Sequence, residues 1–225
     1  MGSDVTLRLI MKDWRLHSPV IALCVMGGVI ALAILRIGGQ TAFVLGAGFF
    51  FISMIFCATA LPMSNIANER KKQTLAFMMS LPVSSARYGA AKLVSTVGMF
   101  LIPWVTLVAA ALWMILGRHA LPNGTIPSTL ILANLPFIGF CLITGAALVG
   151  ESEAWGTAVT AIVNSTYWFG WYLLATYCPT LTHNWTSPVA VWNPAALKIL
   201  GAQFASIVVI LGATMFLQSR KRDFI

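Results

Sequence analysis

Residues 64–92 read SNIANERKKQTLAFMMSLPVSSARYGAAK. This is the one long polar interval in a chain whose other long segments are apolar, and everything else can be placed relative to it. It holds Arg70, Lys71, Lys72, Arg87 and Lys92, five of the fourteen Lys and Arg residues. On either side the sequence turns apolar for lengths that match a bilayer. Of the 225 residues, 59% are hydrophobic and only 9% charged, and the mean hydropathy is +0.86. A soluble domain carries about a quarter charged residues, so the composition points to an all-α integral membrane protein made of several spans. The whole chain, 1–225, is expected to form one transmembrane domain.

Six spans are expected, at residues 19–35, 41–62, 92–116, 128–149, 156–177 and 199–217. The first is closed by Arg36 and followed by a tight turn at Gly38 and Gly39. In the second, Gly46, Ala47 and Gly48 are small enough to let a neighbouring helix come close. Pro103 in the third frees a carbonyl and predicts a kink. Before the first span, residues 4–16 (DVTLRLIMKDWRL) place Leu7, Ile10, Met11 and Trp14 on one helical stripe and Arg8, Lys12, Asp13 and Arg15 on other faces. That pattern predicts an amphipathic elbow helix lying in the headgroup layer. These polar residues and the lack of an A-x-A exit argue against a cleaved signal peptide. Before the last span, residues 178–198 carry Pro179, Pro188, Pro194, Trp185 and Trp192 but a single formal charge, Lys198. The apolar pieces there are too short to cross, which predicts an interfacial or re-entrant excursion.

Charge sets the orientation. Six spans put Arg8, Lys12, Arg15, Arg70, Lys71, Lys72, Arg87, Lys92, Arg220, Lys221 and Arg222 on one side and only Arg36, Arg118 and Lys198 on the other. Eleven against three places both termini and residues 64–92 in the cytoplasm, for a multi-pass protein of the cell (inner) membrane. The net charge of +8 is then a topology and headgroup signal. Nucleic acid is not an expected partner, because the cations sit in loops between apolar runs.

Within the polar interval, Pro82 ends a helix from Asn65 to Ser80, and Ser84 caps the helix that enters the third span. Leu75, Met78 and Met79 share a side, with Leu81 at the apolar tip. The run Glu69-Arg70-Lys71-Lys72-Gln73-Thr74-Leu75, then Ser80-Leu81-Pro82-Val83-Ser84 and Lys92, resembles the motif after the second span in type-2 ABC (ATP-binding-cassette) transporter permeases, with Phe77-Met78-Met79 where Leu-rich versions are usual. The six-span plan, the amphipathic start, the proline-rich excursion and the basic tail extend the resemblance over nearly the whole chain.

The resemblance implies a permease subunit of an ABC exporter, paired with a second permease chain (identical or not) and docked on a cytoplasmic ATPase. Residues 64–92 would hold the coupling helix, with Glu69, Thr74, Leu75, Met78, Met79, Ser80, Leu81 and Pro82 at the ATPase contact. ATP and Mg would be bound by that partner. In keeping with this, these 225 residues contain no GxxxxGK followed by Ser or Thr, the phosphate-cradling loop.

Other chemistry finds little support in the sequence. Cys24, Cys57, Cys141 and Cys178 form no CxxC pair, and His17, His119 and His183 lie near no acidic cluster, so no metal site is expected. Asn134, Thr160, Asn164 and Ser165 are mid-span polar residues that either line a translocation path or hydrogen-bond between helices, the second being the commoner use. With no acid or base at mid-span, a proton relay is not expected, and the path suits amphipathic, peptide-like, lipid-like or drug-like cargo. Two alternatives share the architecture: a sensor or immunity subunit that conveys a conformational change without transport, and an intramembrane hydrolase. The hydrolase needs a nucleophile beside a base, whereas Ser165 has no His in its span and His183 follows the break at Pro179. No catalytic residue is expected. Asn123-Gly124-Thr125 and Asn184-Trp185-Thr186 match glycosylation acceptors.

Overall fold

The computed structural model describes residues 2–67, 85–150, 153–177 and 184–220, and among these there are helices and no strand. Six long helices follow in order: α1 (Gly2–Ile37), α2 (Gln40–Pro62), α3 (Ser85–Leu116), α4 (Ile126–Val149), α5 (Glu153–Tyr177) and α6 (Pro194–Arg220). Five of them contain stretches long and apolar enough to cross a membrane: Ile10–Ile37, Gln40–Ile66, Gly89–Leu116, Asn123–Val149 and Pro194–Arg220. The protein is therefore a multi-pass membrane protein. Large apolar side chains point outward all round the bundle, with Val208 at 70% exposure and Ile162 at 63%, as a lipid solvent requires.

α5, the expected fifth span, is 25 residues long but is not among the five. Asn164, Ser165, Thr166 and the Trp- and Tyr-rich stretch that follows lower its hydropathy. It nevertheless runs the length of the bundle. Gly156 near its start faces Met63 at the end of α2, and Trp168 lines a cavity with Phe43 and Leu35 at the other end.

The helices alternate in direction. At one end, called here the basic end, α1 begins, α2 finishes and α3 begins. Ile66, Leu93, Ala147 and Leu148 cluster there, and Gln218 of α6 comes against Gly89 of α3. The opposite end, the far end, holds the α1–α2 turn and the loops before α4 and α6. This is the up-down order expected for six traverses.

Four expectations change. Residues 4–16 do not form a separate element: the helix is unbroken from Gly2 to Ile37, through Pro19. And α2 does not end at Pro62 but widens into a short π-helix, Met63–Ala67. α3 begins at Ser85, next to the expected cap, two turns before the expected span start. The excursion is shorter than expected, because α6 begins at Pro194. Its described part forms a 3-10 turn, Asn184–Thr186, that docks on a second one, Asn123–Thr125, through Gly124 N–H donating to Ser187 O at 2.9 Å. The two candidate glycosylation acceptors therefore sit against each other.

α4 is the hub. It packs against α2, α3, α5 and α6, and 61% of its span is buried. The core joins Cys24, Cys57, Leu61, Met99, Phe100, Phe137, Phe140, Cys141 and Ile207 from five helices, with Phe100 stacked on Phe140 at 4.2 Å. Cys24, Cys57 and Cys141 are buried and unbridged, in keeping with small core hydrophobes; Cys178 lies outside the described residues. Pro136 interrupts the α4 hydrogen-bond ladder. Three neighbours donate to carbonyls around it: Trp104 Nε1 to Ala133 O at 2.9 Å, Gln203 Nε2 to Ile131 O at 3.0 Å and Tyr167 Oη to Pro136 O at 3.5 Å.

Gly38 and Gly39 take left-handed φ values of 82° and 89°, the conformation that makes the α1–α2 turn possible. Of the small residues in α2, Gly46 serves close approach: a Cβ there would lie 2.6 Å from Leu35 Cγ and 2.9 Å from Ala31 O of α1. At Gly48 nothing lies within 4 Å, so helix packing does not explain that glycine. Gly46→Val is expected to cost about 1–3 kcal/mol by forcing α1 and α2 apart, seen as a lower Tm in detergent. Gly48→Ala is expected to leave Tm unchanged or raised.

Candidate functional site

Two features stand out once the bundle is assembled, one at each end. At the basic end, α1 brings a buried stripe that includes Asp13, His17, Cys24, Ala31 and Leu35. The spacing is helical, and the stripe's first two members are polar. Lys92 enters from α3 and Asn65 from the π-helix. Lys92 Nζ donates to Asp13 Oδ2 at 2.9 Å and Oδ1 at 3.0 Å, and to Asn65 Oδ1 at 2.9 Å. Asn65 Nδ2 donates to Thr96 Oγ1 at 2.8 Å, and Thr96 Oγ1 donates to Lys92 O at 2.7 Å. Both charged side chains are at 0% exposure. His17 Nδ1 donates to Asp13 O at 2.8 Å, one turn along the same helix.

Each member answers a cost of burial. An isolated ion in a low-dielectric interior loses several kcal/mol of solvation, which its partner returns only with good geometry and further hydrogen bonds. Here the carboxylate offers both oxygens to one ammonium, and the Asn65 carbonyl takes another of its protons. The π-helix has a structural part in this: a π-turn shifts the register of α2, and Asn65 is its middle residue. The result ties the basic ends of α1, α2 and α3 together.

The sequence reading placed Asp13 on a polar face and His17 near no acid. The structure places both on the face toward the bundle, while Met11 is 52% and Leu16 62% exposed. Lys12 and Arg15 on the same turn stay exposed, while Asp13 turns inward to a counter-charge. The signal available was the spacing of Asp13 and His17 in register with Cys24, Ala31 and Leu35.

At the far end lies a partly open cavity of about 410 Å³. It is built from Leu32 and Leu35 of α1, Phe43 to Phe51 of α2, Met114 and Ile115 of α3, Thr125 to Ala133 beside and along α4, Trp168 of α5, and Trp185 of the excursion. Trp185 packs on Phe43 with ring centroids 6.3 Å apart. No charged side chain lines it. Its polar side-chain atoms are the hydroxyls of Thr125, Ser128 and Thr129 and the indole N–H groups of Trp168 and Trp185.

The hydroxyls among the four mid-span polar residues bond within their own helix. Thr160 donates to Gly156 O at 2.8 Å and Ser165 to Ala161 O at 3.0 Å, both within α5. Asn134 is buried and Asn164 half-buried, and their Oδ1 atoms accept no hydrogen bond. None of the four lines the cavity. Besides Lys92 and Asn65, side-chain donors that join helices are Trp104, Tyr167 and Gln203. Glu69, Thr74, Leu75, Met78, Met79, Ser80, Leu81 and Pro82 lie outside the described residues, as does His183. Among the described residues no group of His, Cys, Asp or Glu could hold a metal ion.

Comparison with family models, curated proteins and solved structures gives no match to this chain.

Lys92→Met is expected to lower the stability of the detergent-solubilised protein by about 3–5 kcal/mol, because Asp13 is left buried without a counter-charge. The double variant Asp13→Leu/Lys92→Met is expected to recover most of that loss. Thermal unfolding of the two, side by side, checks both.

Proposed function

We propose that this chain is the membrane-spanning permease subunit of an ATP-driven ABC exporter, working with a separate cytoplasmic ATPase and a second permease chain in the inner membrane. The observation that carries the reading is the anchoring of the motif-bearing segment. In the chain, residues 68–84 connect Ala67 to the start of α3, and on the two flanks of that segment Lys92 donates both to Asn65 and to Asp13. A force applied to that segment therefore reaches α1, α2 and α3 together rather than bending one helix.

That is what a coupling element needs. Coupling requires an element with two arrangements whose balance both sites can bias, and three helices locked at one end move as one body. The resemblance of Glu69 to Ser84 to the type-2 permease motif supplies the docking surface, with Leu75, Met78, Met79 and Leu81 against the ATPase and Arg70 to Lys72 nearer the headgroups. Flexible Met side chains suit a contact that must repack as the partner moves. In this arrangement the basic end is cytoplasmic, in line with the distribution of Lys and Arg, and cargo leaves at the far end, past the excursion. The apolar spans favour an amphipathic cargo.

The chain purified in mild detergent from its native membrane is expected to bring an ATPase subunit with it. Leu75→Asp or Met78→Asp should still insert and should lose that subunit, as read by mass spectrometry of the purified complex. Undiminished co-purification of the ATPase by both variants would overturn the coupling-helix assignment.

A further inference from the structure

We infer that the far-end cavity is a binding site for the apolar chain of an uncharged amphiphile whose head carries a hydroxyl or amide N–H. The first ground is Gly48. A helix-interior glycine costs roughly 1 kcal/mol relative to alanine and is normally explained by a neighbour that needs the room. Gly46 has such a neighbour and Gly48 has none: a Cβ at Gly48 meets nothing within 4 Å, and Gly48 lines the cavity. Gly201 and Gly212 are equally open, so what sets Gly48 apart is its place in the cavity lining, where the absent side chain leaves room for a guest.

The second ground is the lining. At about 410 Å³ the cavity falls in the range of roughly 300–1,000 Å³ that holds small molecules. Phe50, Phe51, Leu132 and Trp168 suit methylene groups, and no charged side chain is present to balance a buried carboxylate or ammonium.

The third ground is the state of the three hydroxyls. Thr125 Oγ1 donates to Pro122 O at 2.7 Å, Ser128 Oγ to Thr125 O at 2.8 Å and Thr129 Oγ1 to Thr125 O at 2.8 Å. Each hydroxyl has one proton, and each proton is committed to a carbonyl. What the oxygens can still offer is a lone pair. A guest meeting these three oxygens brings the donor, as an alcohol, a monoacylglycerol or an amide-linked lipid does; an ether or carboxylate oxygen would instead have to meet an indole N–H of Trp168 or Trp185, which also line the cavity. Trp185 and Phe43 close the same region, with an indole suited to the membrane–water boundary.

The inference concerns the isolated chain and does not depend on ATP coupling; if the exporter reading holds, it names the class of cargo or lipid met at the exit. The test is photolabelling of the full-length protein in phosphatidylcholine nanodiscs. The probes are a long-chain alkyl alcohol with a mid-chain diazirine and its methyl ether, and labelled peptides are mapped by mass spectrometry. The alcohol is expected to label residues 47–51 and 128–133 in preference to the ether. Gly48→Leu should reduce that labelling about tenfold or more, as expected when a guest loses the room for two methylene groups. Gly201→Leu, also at a glycine with nothing within 4 Å but away from the cavity, should leave it unchanged. Thr129→Val, close in shape, should weaken the preference for alcohol over ether, with Thr125 and Ser128 still offering acceptors, and keeps the test decisive should Gly48→Leu not fold. Labelling unchanged in Gly48→Leu, or equal labelling of the wild-type protein by alcohol and ether, would overturn the inference. Loss of the ATPase partner would not touch it.

Discussion

The contact between Lys92 and Asp13 is the constraint from which the rest of the basic end follows. A cation and an anion, both fully buried, demand each other and demand further polar neighbours. Asn65 supplies an acceptor for the cation, Thr96 receives the amide protons of Asn65, and the Lys92 carbonyl receives the Thr96 proton. Satisfying that set draws in a π-turn at the end of α2, because Asn65 has to face α3 while the apolar residues of α2 keep facing α1 and α4. Removal of one member leaves an uncompensated charge or donor in the interior, so the cluster is all or nothing in a way that the apolar core is not.

The two ends of the bundle are built on different physics. At the basic end, specific polar partners fix three helices at short range. In the middle, α4 meets its neighbours by close packing and by donation into the carbonyls of Ile131, Ala133 and Pro136. At the far end apolar side chains line a volume they do not fill, with the turn that carries Trp185 packed beside it. An assembly pinned at one end and open at the other can transmit a movement of the pinned end into a change of shape at the open end. This geometry is the physical basis for proposing a coupled transporter.

Much of the architecture was legible along the chain. Runs of apolar residues of bilayer length predict the α2, α3, α4 and α6 traverses within a few residues, because lipid imposes a length that composition alone reveals. Gly38 and Gly39 mark the turn, since few other residues accept their φ. The short described part of the excursion matches the expectation from Trp185 and Pro188 of a segment that does not span. The amphipathic start was legible as helix but not as part of α1, because nothing local distinguishes a helix that bends into the interface from one that continues. α5 was legible as a helix of spanning length, yet its polar and aromatic residues leave it outside the apolar set.

The sequence by itself determined a helical membrane protein, the order of its helices and a single polar interval between the second and third. These follow from local composition, which the bilayer reads residue by residue. Only the tertiary structure decided that Asp13 faces inward and finds Lys92, that Gly46 serves packing and Gly48 serves an opening, and that the hydroxyls at the cavity are Thr125, Ser128 and Thr129 rather than Thr160 and Ser165. Each of those depends on which faces of different helices meet. The same side chain can point to lipid, to a neighbour or into a cavity without any change in its local sequence, and only the assembled bundle makes one of those choices the cheapest.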